Sequence, residues 1–171
     1  MAPAPPGRAE DRSMRRVLAI DGGGVRGVLP ASFLATVEEQ IGHSPADCFD
    51  LIVGTSTGGI IALGLGAGLS AREIRGFYVD RAPVIFRGQR HLRAARRVVT
   101  AKFDPGRLKA ELEDVFGTRL IGESRSRLVI PSMDLSTGKV RLWKTAHNER
   151  FIQDYKRTMV EALLNAAGTA W

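Results

Sequence analysis

Cysteine is nearly absent from this 171-residue sequence, which contains only Cys48. A single cysteine excludes an intramolecular disulfide and any metal site built from several cysteines, so we expect Cys48 to be a small buried apolar side chain. The first 13 residues also lack the apolar core of a secretory signal. The sequence therefore predicts a disordered leader over 1–13, one domain over 14–171 and a cytoplasmic location.

Acidic residues are in the minority, with 18 Asp and Glu against 25 Lys and Arg and a net charge of +7. Such an excess could attract nucleic acid or an anionic membrane. It is concentrated in 87–97, where Arg90, Arg93 and Arg97 have helical spacing. Because aromatic residues are not interleaved with these arginines, we expect no nucleic-acid polymer as partner. A solvated helix face is the simpler interpretation, and docking on lipid head groups is the functional one.

Charge is absent from Leu51 to Ala71, a run long enough to cross a bilayer. The run contains six glycines together with Thr55, Ser56 and Thr57, which make a poor lipid-facing helix. We instead expect a buried strand over 51–53, a very sharp turn, and a close-packed helix over 57–65.

Alternation of short apolar runs and helical spacing elsewhere predicts an α/β domain. Ser70 and Glu73 form the pattern of a capping box, and Pro131 suits an edge strand or a bulge. The other predicted elements are a strand over 16–20, helices over 29–41, from Asp104-Pro105 onward and over 155–165, and a β-hairpin joining 128–135 to 139–144.

The strand-to-helix turn carries Gly54-Thr55-Ser56-Thr57-Gly58, which matches Gly-x-Ser-x-Gly. A serine on such an elbow projects its hydroxyl out of both elements, while Gly54 and Gly58 let neighbouring backbone approach. The helix N-terminus behind it favours developing negative charge. Ser56 is therefore the candidate nucleophile, and the structural alternative is a packing turn with an incidental serine.

A second glycine motif follows the first strand and opens the next helix. Its backbone N–H groups are expected to form an oxyanion hole, with Arg26 holding the loop or contacting an anionic head group. A side chain at Gly23 should intrude on the oxyanion and could demand a backbone conformation that only glycine adopts. The candidate residues of this loop are Gly22, Gly23, Gly24 and Arg26, with Gly27 supporting the motif.

The same loop matches the dinucleotide-binding pattern Gly-x-Gly-x-x-Gly at Gly22, Gly24 and Gly27. Dinucleotide binding requires an acidic residue at the end of the second strand to bind the ribose, whereas Asp50 lies at the start of that strand. A non-catalytic nucleotide-binding or interaction module is therefore the weaker alternative to a hydrolase.

The two motifs together make the chain resemble the patatin-like phospholipases, from about Arg16 to the C-terminus. The resemblance implies a three-layer α/β/α sandwich and a Ser/Asp dyad, with no metal or cofactor, that cleaves acyl esters of membrane glycerophospholipids. It implies that Ser56 is the nucleophile, and that the protein is peripheral at the membrane during catalysis. Segments 144–147 and 154–156 resemble bacterial antiphage effectors activated by cyclic dinucleotides, and a homo-oligomer is left open.

The sequence departs from the family in one respect, because no Asp-Gly-Gly or Asp-Gly-Ala motif follows Ser56. The segment 165–171 resembles a family segment cut off partway, so we expect a truncated or split domain whose general base is missing. An internal alternative is a triad of Ser56, Asp134 and His147, which occur in the chain order of α/β-hydrolases. Asp134 is better interpreted as a turn residue, and His147 as a loop histidine.

Overall fold

The computed structural model describes residues 14–85, 105–134 and 137–168. Its mixed sheet has the order β1-β2-β3-β4, with helices on both sides. The first three strands are parallel, and β4 pairs antiparallel with β3. This confirms the predicted α/β class and the hairpin. The strands are β1 (Val17–Ile20), β2 (Leu51–Gly54), β3 (Leu128–Asp134) and β4 (Lys139–Lys144).

The helices follow the predicted order, with one boundary error. We predicted a helix from residue 155, but it begins at Met159, because Thr158 caps it by accepting a hydrogen bond from the Glu161 N–H at 3.1 Å. The Ser70–Glu73 capping box is present as predicted. The helices are α1 (Val28–Ile41), α2 (Thr57–Gly66), α3 (Ala71–Gly76), α4 (Ala82–Ile85), α5 (Pro105–Phe116) and α6 (Met159–Ala166), with 3₁₀ turns at Gly24–Gly27, Pro45–Cys48 and Ile121–Glu123 and a π-helical segment at Phe77–Arg81.

The uncharged run 51–71 forms β2 and α2, as predicted, rather than a membrane span. All ten residues of α2 are buried, and the helix packs on β1, β2 and β3. Across the described residues, no helix is both long and apolar enough to cross a bilayer. The apolar run therefore reflects a helix enclosed on every side.

The two faces of the sheet differ in exposure. One face is buried and includes Ile52, Leu128, Ile130 and Trp143, and α2 and α6 contact these strands. The opposite face carries every second residue of each strand, because side chains alternate along a strand. It is apolar but more exposed. Its most exposed members are Val17, Met133, Val140 and Leu142.

Of two smaller predictions, the burial of Cys48 is wrong and the edge position of Pro131 agrees with the structure. Cys48 is partly exposed rather than buried. Pro131 lies in the middle of β3 opposite Leu142, but past Val129, the last residue of β3 that pairs with β2. Its missing N–H is tolerated there because β2 has already ended. The predicted leader 1–13, the arginine segment 87–97 and the predicted cap Asp104 lie outside the described residues.

Two glycines of the elbow let α2 begin directly against the sheet. A Cβ at Gly58 would lie 2.2 Å from the carbonyl oxygen of Ile20, and a Cβ at Gly54 would lie 2.3 Å from that of Gly58. The end of β1, the end of β2 and the first turn of α2 are thus in backbone contact. This contact brings the residues that follow β1 beside those that follow β2.

We predict that Gly58→Ala destabilises the chain by about 2 kcal/mol or more, because the added methyl group overlaps the Ile20 carbonyl. Gly76→Ala is the matched control, because Gly76 has helical dihedral angles and a Cβ there would lie 3.9 Å from Asp80 Oδ2. That change should be neutral or stabilising by up to ~1 kcal/mol. Urea unfolding of both variants measures the difference, and equal stabilities would contradict the packing argument.

Candidate active site

Ser56 occupies the elbow between β2 and α2 with a backbone conformation that serine rarely adopts. Its φ is +51° and its ψ is −123°, and it is the only non-glycine residue with positive φ among those that the structure describes. The side chain is partly exposed, while its neighbour Thr57 is buried. A strained residue at the junction of a buried strand and a helix N-terminus is the arrangement that the motif predicted.

The glycine loop lies directly against this elbow. The Gly22 N–H donates to Thr55 Oγ1 at 3.2 Å, and the Gly23 N–H donates to Thr57 Oγ1 at 3.0 Å. A Cβ at Gly22 would lie 2.8 Å from the Cβ of Ser56. The absence of a side chain at Gly22 is therefore what lets the loop approach the serine.

The reason we gave for requiring glycine at Gly23 was wrong. Its φ of 179° is open to any residue, and a Cβ there would lie 3.3 Å from the Cβ of Arg26 rather than at the elbow. The left-handed conformation occurs instead at Gly24, whose φ is +60°. The steric requirement thus lies at Gly22 and the conformational one at Gly24.

The 3₁₀ turn that begins at Gly24 determines which backbone N–H groups of the loop can donate to an oxyanion. The first bond inside this turn runs from the Arg26 N–H to the Gly23 carbonyl, at 3.2 Å. The amides of Gly24 and Val25 precede it and so have no acceptor within the turn. Together with the N-terminus of α2 they can supply donors beside Ser56. The Arg26 side chain is exposed, which leaves its guanidinium accessible.

Tyr78 joins both motifs and was missed by the sequence reasoning. Its hydroxyl donates to the carbonyl oxygen of Thr57, and a Cβ at Gly27 would lie 2.4 Å from its ring. Burial raises the pKa of the Tyr78 phenol, so the hydroxyl remains a donor. The hydroxyls of Thr55 and Thr57 were visible within the motif, but no sequence signal connects Tyr78 to it.

An apolar pocket opens beside the candidate nucleophile. Its polar members are Ser56 and Thr57, and α2, α5 and α6 supply the remainder. The apolar side chains that line it are Ile60, Leu108, Leu112, Leu163 and Ala167. The space it encloses is only about 10 Å³, so in this structure it makes the surroundings of Ser56 apolar without accommodating a hydrocarbon chain.

The internal triad is not assembled. Asp134 ends β3 and binds Thr137 through its carboxylate, as predicted for a turn residue. His147 lies near the other end of the hairpin, two residues after Thr145, whose N–H donates to the Leu128 carbonyl. The six steps from Leu128 to Asp134 along β3 span about 20 Å at ~3.3 Å each. Burial lowers the pKa of His147, and its Nδ1 is 2.9 Å from Thr145 Oγ1.

The position of Asp50 argues against the nucleotide-binding alternative, because this acid does not lie beside the glycine loop where it could bind a ribose. Asp50 is buried just before β2, and its carboxylate accepts a hydrogen bond from the Arg16 N–H at 2.9 Å. The glycine loop follows β1, whose last residue Ile20 pairs with Gly54 at the other edge of the sheet. The four steps along the chain from Asp50 to Gly54 separate Asp50 from the glycine loop by roughly 13 Å. Among the described residues there is also no cluster of three His, Cys, Asp or Glu suited to a metal ion.

Comparison with known proteins gives one family and one fold. Residues 18–167 match the family model described as patatin-like phospholipase. A cGAMP-activated phospholipase of Pseudomonas aeruginosa is 39% identical over 155 residues, which is 88% of this chain and 46% of that protein. A protein of the same name from Vibrio cholerae is 36% identical, over 95% of this chain and 50% of that protein.

Two more distant similarities are to a plant member of the family and to one solved structure of similar fold. Patatin-like protein 2 of Oryza sativa is 32% identical, over 74% of this chain and 36% of that protein. The crystal structure of the type III effector ExoU superposes with a TM-score of 0.51 at 13% identity, over 91% of this chain and 41% of the effector. This chain spans about half the length, or less, of the curated relatives it matches.

The strain at Ser56 predicts that glycine and alanine reverse their usual order of stability at this position. Glycine adopts positive φ freely, so we predict that Ser56→Gly is more stable than Ser56→Ala by about 1 kcal/mol, after allowance for the greater freedom of glycine in the unfolded chain. At Ser32, within α1, the order should reverse, with alanine about 1 kcal/mol more stable than glycine. Denaturant unfolding of the four variants measures both differences. Alanine being the more stable at both positions would show that Ser56 is unstrained.

Proposed function

This chain belongs to the patatin-like phospholipase family, and we propose that it carries the nucleophile and oxyanion loop of a serine lipid acyl hydrolase. Ser56 would attack the ester carbonyl of a membrane glycerophospholipid and form an acyl-enzyme, as the ester C–O bond breaks and the lysophospholipid leaves as an alcohol. The general base would take the serine proton and pass it to that alcohol. Water would then release the fatty acid and regenerate the serine.

The observation that carries this proposal is the meeting of two loops at one edge of the sheet. The strained elbow presents Ser56, and the glycine loop comes close enough that a Cβ at Gly22 would lie 2.8 Å from the Cβ of Ser56. Donors fixed beside a nucleophile before the substrate arrives stabilise the negative charge of the tetrahedral intermediate. A simple packing turn would explain the glycines but not the strained serine facing a second loop.

The apolar pocket supports a lipid substrate. Leu108, Leu112 and Leu163 make the surroundings of Ser56 apolar, and we propose that the acyl chain approaches the elbow along this side. Arg26 is exposed, and we propose that its guanidinium binds the phosphate of the head group. We also propose, as the sequence predicted, that the protein is cytoplasmic and meets the membrane only at its surface during catalysis.

The general base is proposed to come from outside these 171 residues. The sequence after Ser56 contains no Asp-Gly-Gly or Asp-Gly-Ala motif, and Asp134 and His147 lie at opposite ends of the hairpin. The more open apolar face of the sheet, which includes Met133, Val140 and Leu142, is a surface on which a further segment could pack. We use "whole protein" below for this chain together with the segment that supplies the base.

We further propose activation by a cyclic dinucleotide, as in antiphage defence. Relatives named cGAMP-activated phospholipases are 36–39% identical to this chain over most of its length. Hydrolysis by the whole protein should therefore rise when cGAMP is added. Unchanged hydrolysis across a cGAMP titration would remove this part of the proposal and leave the hydrolase intact.

Ser56→Ala in the whole protein should abolish hydrolysis of phosphatidylglycerol vesicles and labelling by a fluorophosphonate, because the attacking oxygen is gone. The fold should persist, with an unchanged circular dichroism spectrum. Ser32→Ala, within α1, is the matched control and should keep both activities. Hydrolysis retained in Ser56→Ala would reject the nucleophile assignment.

The source of the base is tested by comparing the isolated chain with the whole protein. The isolated chain should be nearly inactive, because a serine hydroxyl needs an adjacent base to accept its proton. In the whole protein, Asp134→Asn and His147→Ala should leave the rate within about twofold, since neither side chain is expected to reach Ser56. Turnover by the isolated chain that either substitution abolishes would restore the internal triad.

A further inference from the structure

We propose that the threonines on either side of Ser56 and the buried Tyr78 are positioning residues that hold the glycine loop in register with the elbow. This inference rests on the proposed function, since it concerns the same nucleophile and loop. None of the three side chains is proposed to touch the reacting atoms.

The two threonines bind successive amides of the loop. Thr55 Oγ1 accepts from the Gly22 N–H at 3.2 Å, and Thr57 Oγ1 accepts from the Gly23 N–H at 3.0 Å. A backbone bond from the Thr55 N–H to the Ile20 carbonyl, at 3.2 Å, joins the elbow to the end of β1. Because the two hydroxyls bracket Ser56, they fix both the distance and the rotation of the loop relative to the nucleophile.

Tyr78 contacts the junction of the glycine loop and the elbow from its buried side. Its hydroxyl binds the carbonyl of Thr57, and its ring packs against Gly27 at the far end of the loop, with 2% of the residue exposed. Its neighbour Arg81 pairs with Glu111 at 2.9 Å and with Asp114, so the π-helical segment is tied to α5. Tyr78 therefore contacts the residue after the nucleophile and the last glycine of the loop at once.

This arrangement separates the amides of the loop by role. Those of Gly22 and Gly23 anchor the loop, and those of Gly24 and Val25 are left to meet the oxyanion. A loop released from its anchors would shift the second pair away from the charge that develops in the transition state. The leucines beside Ser56, Leu108, Leu112 and Leu163, belong to α5 and α6 rather than to the loop, so binding of the ester should change little.

The test is steady-state hydrolysis of p-nitrophenyl butyrate by the whole protein. Thr57→Val should lower kcat by about 10- to 100-fold with KM within about twofold, and Tyr78→Phe should lower kcat by about tenfold. Thr57→Ser should recover most of the rate, because it restores the hydroxyl acceptor. Thr36→Val, in α1, and Tyr155→Phe are matched controls that should keep the original kcat.

Thr55→Val provides a variant at an exposed position if Thr57→Val fails to fold, and it should also lower kcat without raising KM. Amide hydrogen exchange at 22–25 should accelerate in the threonine variants, whether or not an ester is hydrolysed. Original kcat values in folded Thr55→Val, Thr57→Val and Tyr78→Phe would overturn the positioning role while Ser56→Ala still abolishes activity. Activity in Ser56→Ala would instead reject the proposed function itself.

Discussion

The backbone contact between the end of β1 and the first turn of α2 is the constraint on which the site depends. Gly58 lies so close to the Ile20 carbonyl that no side chain fits between them. This contact forces the chain to pass from strand to helix without a loop, which leaves Ser56 at positive φ. It also places the glycine loop that follows β1 beside the serine that follows β2.

The strain at Ser56 is sustained by the packing around it. All ten residues of α2 are buried, so the helix cannot shift to relax its first turn. The threonine hydroxyls then bind the amides of the loop, while the Tyr78 hydroxyl binds the Thr57 carbonyl on the buried side of the same junction. A site held in this way is organised before substrate binds, which is how fixed dipoles contribute most to stabilising developing charge.

The same packing makes the surroundings of Ser56 apolar, which is the physical basis for proposing a lipid substrate. α2 is uncharged, and α5 and α6 bring Leu108, Leu112 and Leu163 to the side of Ser56. The polar groups of the site are mainly backbone amides and hydroxyls, while Arg26 is exposed at its rim. An ester that joins a hydrocarbon chain to an anionic head group matches this division.

The sequence by itself determined the two motifs, the strands and helices that carry them, and Ser56 as the candidate nucleophile. Those features depend on local rules: glycines at sharp turns, apolar runs in buried strands, and caps at helix ends. Only the tertiary structure decided that Gly22 rather than Gly23 makes the close approach, that Tyr78 binds the carbonyl of Thr57, and that Asp134 and His147 lie at opposite ends of a hairpin. These relations join residues distant in the chain, and strand register and helix packing set them, which local sequence does not encode.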